Sequence, residues 1–178
     1  MSYRKYLNDY RVEQYTDEKG RVRTGAVYIG GDFVLSRPFS AGDKRLVLAL
    51  SILPWLSIIG ALIPNTGASR AAYVIMPYVF SALPLFFLTD SAFALQSRDE
   101  FLTRERAHRI SSRLSLGSLF AAVLSAASFI ALILTAIFKW VELFTSDILF
   151  GALSLITAAM TSIVFYKYGK GLKSVKTD

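Results

Sequence analysis

The chain has 178 residues, 53% of them hydrophobic, with a mean hydropathy of +0.44. Most of the apolar residues after Arg45 gather into four blocks, a distribution that describes a membrane protein and not a soluble core. The absence of cysteine excludes disulfides, thiolate catalysis and Cys-ligated metals. A net charge of +7 and a pI near 9.7 would suit nucleic acid through phosphate neutralisation. The positions of the charges argue against it. All of the 20 Lys and Arg except Arg70 and Lys139 fall in the N-terminal region, the central connector or the C-terminal tail. An even number of spans places those three regions on one side of a bilayer, so the basicity reads as a topology signal and no nucleic-acid partner is expected.

Residues 1–45 are polar and rich in aromatics, with no apolar run of the kind a secretory signal needs, so the first span is expected to act as the insertion signal. Alternation through Val12, Gln14 and Thr16, the turn Asp17-Glu18-Lys19-Gly20, and renewed alternation through Val22, Thr24, Ala26 and Tyr28 predict a β-hairpin with Gly20 at positive φ. After Gly30-Gly31-Asp32, Phe33-Val34-Leu35 predicts a third strand of the same meander, ended by Arg37-Pro38. A meander this small is marginal alone and should lean on the membrane surface, the connector or a partner. Tyr3, Tyr6, Tyr10, Tyr15, Tyr28, Phe33 and Phe39 are available for that contact or for a mini-core.

Four transmembrane helices, arranged as two antiparallel hairpins, are expected over residues 46–166: about 46–63, 71–95, 114–138 and 148–166. The first reaches about 27 Å and carries Pro54 near its middle, where a kink is expected. The second holds Pro77 and Pro84, seven residues apart and on nearly the same face, with Tyr73, Tyr78, Phe80, Phe86 and Phe87 around them. It is the span to line a cleft or a path. Asp90 is the one carboxylate within an apolar block, a candidate for proton or cation handling. Its depth, about 25 Å along the axis from Tyr73, also fits a solvated position at the headgroup boundary.

The connector Ser97 to Arg113 has two capping-box spacings, at Ser97-Glu100 and from Thr103, and turns helical from Arg104 directly into span three. Arg106, Arg109 and Arg113 recur at spacings of three and four and share a face, with Arg104 and His108 on another. These arginines are candidates for contact with anionic lipid headgroups or a protein partner. His108 is the single histidine and lacks companion ligands, so no metal is expected. Small residues Ser118, Ala122 and Ala126 on span three and Ser154, Ala158 and Ser162 on span four predict close approach, either of the two spans or of two copies of the chain. The loop between them, with Trp140, Glu142 and Asp147, suits the outer side, and the basic tail 167–178 the cytoplasmic side.

No phosphate-binding glycine loop, zinc-protease helix, nucleophile elbow or carboxylate pair occurs, so neither a catalytic set nor a cofactor is expected. The resulting expectation is an all-α integral membrane protein of the plasma membrane with both termini cytoplasmic. It would act as a non-enzymatic accessory subunit whose hairpin and arginine-rich connector form one docking face. A small oligomeric transporter or channel component lined by span two is the alternative, and a lipid-directed enzyme the third.

Overall fold

The computed structural model describes residues 9–16, 22–63, 67–97, 102–142 and 144–176. The turn at Asp17 to Gly20, the Ser97-Glu100 cap, and Tyr3 and Tyr6 involve positions outside the described residues. Strands β1 (Tyr10–Thr16) and β2 (Val22–Tyr28) pair antiparallel in the expected register, Tyr10 opposite Tyr28 and Thr16 opposite Val22. The third strand, β3 (Phe33–Leu35), forms as expected but does not extend their sheet.

Helix α1 (Ala41–Leu62) begins five residues before the apolar block. Ser40 caps it: its hydroxyl oxygen accepts from the Asp43 N–H at 3.1 Å, and the Asp43 carboxylate accepts from the Ser40 N–H at 3.3 Å. The reciprocal cap holds the polar stretch Ala41 to Arg45 helical. The helix continues through Pro54, whose ring is buried. Span two is two helices, α2 (Ala72–Phe80) and α3 (Ala82–Ala94), with one break at Ser81, between Pro77 and Pro84. Pro84 has no N–H to donate to the Phe80 carbonyl, so the break falls between the two prolines. The Ser81 hydroxyl donates to the Tyr78 carbonyl at 2.6 Å.

Helix α4 (Arg104–Ser112), capped by Thr103, continues through a widened π-turn at Arg113–Gly117 into α5 (Ser118–Phe138). Together they form one rod of 35 residues. At about 1.5 Å per residue that is some 50 Å, well beyond a hydrocarbon core, so α4 continues past the apolar zone as a polar base. Lys139, at φ 50, ends α5. Helix α6 (Thr145–Val164) runs into a second π-turn, Phe165–Gly169, marked by the Lys170 N–H bonding five residues back to Phe165. The chain then forms β4 (Ser174–Lys176).

The four rods pack as a ring in which each neighbours the next and span four closes against span one; α5 and α6 share the most extensive contact. All four are long and apolar enough to cross a membrane. Side-chain distribution inverts that of a soluble bundle. Ser51, Ser81, Ser118, Ser125, Ser128, Thr135, Ser154, Thr157 and Thr161 are buried, while Leu56, Ile59, Phe80, Leu83, Phe86, Ile137 and Ile148 lie on the outside. The predicted stripe of small residues is largely interior, with Ser118, Ala122, Ser154 and Ala158 buried.

Hydroxyls tie the rods together where packing alone would let them slide. Trp55 Nε1 donates to Thr89 Oγ1 at 3.0 Å, Thr89 donates to the Ser51 carbonyl at 3.1 Å, and Tyr78 and Thr157 hydroxyls lie 3.0 Å apart. A double-mutant cycle on Tyr78→Phe and Thr157→Val, read by denaturation in micelles, should return a coupling of about 0.6 kcal/mol, the usual value for a hydrogen bond between membrane helices. Strict additivity would mean the two hydroxyls do not interact.

Candidate functional site

The three basic regions come together at one end of the bundle. β3 pairs with β4, Val34 opposite Val175, so the C-terminal segment and not β2 supplies its neighbour. The other side of β3 is met by the connector, where Phe33 and Leu102 exchange backbone hydrogen bonds of 3.0 and 2.9 Å. The expected three-stranded meander is thus replaced by a long-range assembly of N-terminal segment, connector and tail. Arg37 donates to the Lys167 carbonyl, and the Tyr168 hydroxyl donates to Asp43 Oδ1 at 2.8 Å, with Lys167 Nζ 4.0 Å from the same oxygen. Phe39 stacks on Tyr168 with ring centres 5.7 Å apart.

The hairpin meets this assembly at its base. Tyr28 donates to the Gly31 carbonyl and accepts the Arg104 N–H at 2.9 Å, and Arg104 lies 3.5 Å from Asp9. Beyond that base, Val12 and Val22 are 71% and 69% exposed.

Three of the connector arginines, Arg104, Arg109 and Arg113, are engaged with acids of the same chain. Arg109 bonds Glu105 one turn earlier at 2.8 Å. Arg113 pairs with Asp90 and lies over the Phe87 ring at 5.0 Å. Arg113 thus bonds to span two at Asp90, which borders the same cavity as Arg106 and Arg109. Asp90 retains 44% side-chain exposure, and a pair this exposed contributes little to stability. Arg106, Arg109, Glu105 and Asp90 border a shallow cavity of about 250 Å³.

Pro77, Pro84 and Tyr78 lie in the body of the bundle. Tyr78 is fully enclosed, edge-on to Phe150 at 5.3 Å, so it does not border an opening. Two features that the residue pattern did not single out are prominent. Asp147 is fully buried in the first turn of α6, its carboxylate accepting from the Phe144 N–H at 2.9 Å. A larger cavity of about 420 Å³ lies at the basic end between β3, the start of α1, the end of α3 and α4, with Arg37 and Lys44 at its margin. The capping pair Ser40-Asp43 was the one local signal that α1 extends far enough to carry Lys44 there. Among the described residues, no three His, Asp or Glu side chains converge as metal ligands would. Compared with family models, curated proteins and solved structures, the chain matches none of them.

Proposed function

We propose that the protein is a multi-pass plasma-membrane protein that serves as a non-enzymatic accessory subunit, docking a partner through its N-terminal hairpin on the cytoplasmic side. The hydroxyl-lined interior and apolar exterior support insertion, since lipid solvates apolar side chains and leaves hydroxyls to bond between helices. Convergence of the three basic regions supports a cytoplasmic location for that end. The observation that carries the docking role is the hairpin itself: two strands that, among the described residues, pair only with each other and leave their outer edges to strand addition, with exposed valines on a module joined to the bundle near Tyr28. With Arg104, Arg109 and Arg113 bound to acids of the same chain, the docking role falls to the hairpin more than to the connector. The transport alternative has less support, because Asp90 is paired with Arg113 and Tyr78 is enclosed.

Crosslinking in intact membranes followed by native mass measurement tests this reading. We expect a stoichiometric heteromeric complex that disappears in the double variant Val12→Asp/Val22→Asp, while the variant stays in the membrane fraction. A bare monomer, or a homo-oligomer without a partner, would contradict the accessory role. Reporters fused after Thr103 and Lys176 should signal from the cytoplasm, and reporters after Gly67 and Thr145 from the opposite side.

A further inference from the structure

We propose that the cavity of about 420 Å³ at the basic end holds an anionic glycerophospholipid of the surrounding bilayer, its phosphate held by Arg37 and Lys44 and part of an acyl chain lying along the apolar wall. The inference rests on the membrane reading above but not on the docking role. The volume lies within the range of small-molecule sites. Its wall is apolar, supplied by Leu35, Phe39, Leu95, Leu102 and Ile110, and among the described residues its lining includes two cations and no carboxylate. The nearest acid in sequence, Asp43, is occupied by Ser40 and Tyr168.

Both cations are fixed in place by bonds that leave donors free. Arg37 uses one guanidinium nitrogen on the Lys167 carbonyl, and Lys44 uses its ammonium on the Ser97 carbonyl at 3.2 Å. A guanidinium has five N–H donors and an ammonium three, so each can still bind phosphate oxygens. Position supplies the choice of ligand. Lys44 is in the first turn of α1, just before the apolar block, and Ala94 and Leu95 end α3, so the opening falls at the level of headgroups and not in the aqueous phase. A soluble phosphate compound would have no use for the apolar wall, and a neutral lipid none for the two cations.

Native mass spectrometry of the chain released from nanodiscs of equal phosphatidylglycerol and phosphatidylcholine tests the proposal. One phosphatidylglycerol should persist per chain in the wild type. Its occupancy should fall at least fivefold in Arg37→Gln/Lys44→Gln and stay unchanged in Lys173→Gln/Lys176→Gln, which removes equal charge elsewhere on the same end. Equal retention of both lipids, equal retention in the Arg37/Lys44 variant, or displacement by millimolar inorganic phosphate would each overturn it. Because Arg37 also holds the Lys167 carbonyl, Ala94→Phe provides a second route, filling the cavity with both charges intact; persistence of the lipid there overturns the proposal too. Recovery of the wild-type chain in the soluble fraction would overturn the membrane reading and this inference together, whereas loss of the protein partner alone leaves the expected lipid result unchanged.

Discussion

Gly67→Val is expected to destabilise the bundle by about 2–4 kcal/mol, the sum of a strained backbone and an overpacked contact. Gly67 begins the short 3₁₀ turn between α1 and α2 with φ +58, a region that costs a β-branched residue heavily. Space is short as well. A Cβ there would clash with Asp147 Oδ2 and sit 2.8 Å from the Glu142 carbonyl oxygen. Asp147 is fully buried and already accepts the Phe144 N–H at the start of α6, so displacing its carboxylate unseats the helix end that it caps. Gly171 separates the two causes. It shares the left-handed conformation, at φ +74, but nothing lies within 4 Å of its would-be Cβ. Gly171→Val should lose only the backbone share, about 1–2 kcal/mol. Denaturation midpoints in one detergent compare the two, and equal losses would mean that the approach to Asp147 carries no energy.

Gly117→Leu should cost about 3 kcal/mol, at the upper end of ordinary overpacking, and should separate span two from span three. The first π-turn places Gly117 against backbone: a Cβ would lie 3.0 Å from the Pro84 carbonyl oxygen and 3.2 Å from the Leu88 nitrogen. Backbone atoms cannot rotate aside as a side chain can. Gly151 provides the contrast, because the atom nearest its would-be Cβ is Leu132 Cδ2 at 2.8 Å, the tip of a flexible side chain. Gly151→Ala is therefore expected to be milder than Gly117→Ala. The Gly117→Leu variant should also break the Asp90 and Arg113 pair, which joins the same two spans beside the contact. A crosslink between cysteines placed at Asp90 and Arg113, formed readily with Gly117 and lost with Gly117→Leu, would register that separation. An unchanged crosslink would show that the π-turn tolerates the added bulk.

The positions of the four apolar rods were readable because a bilayer-length run of uncharged residues needs no partner to be recognised. The hairpin was readable for a similar reason, since alternation around Asp17 to Gly20 is local. What escaped depended on distance in the chain. Ser174 to Lys176 is too short and too basic to announce a strand, and it becomes one only against Phe33 to Leu35. The pairing of Arg113 with Asp90 joins two spans and has no local sequence mark in the connector. Arg37 marks only the end of a strand in the sequence and nothing local marks Lys44; the capped first turn of α1 and the β3–β4 pair set them around a cavity. Asp147 read as an outer-loop charge because nothing in its neighbours reveals that Gly67, eighty residues earlier, closes over it.

The β3–β4 pair also has a temporal meaning. β3 leaves the ribosome before any of the four rods and β4 after all of them, roughly 140 residues later. At about 5–20 residues per second that interval is on the order of 10 to 30 s. During it Phe33 to Leu35 can bond to the connector but not to its strand partner, and the cavity beside Arg37 stands without the tail that completes its surroundings. Closure of this end therefore follows the synthesis of every rod, so a strand at Ser174 to Lys176 paired with Phe33 to Leu35 reports that all four rods have already been made.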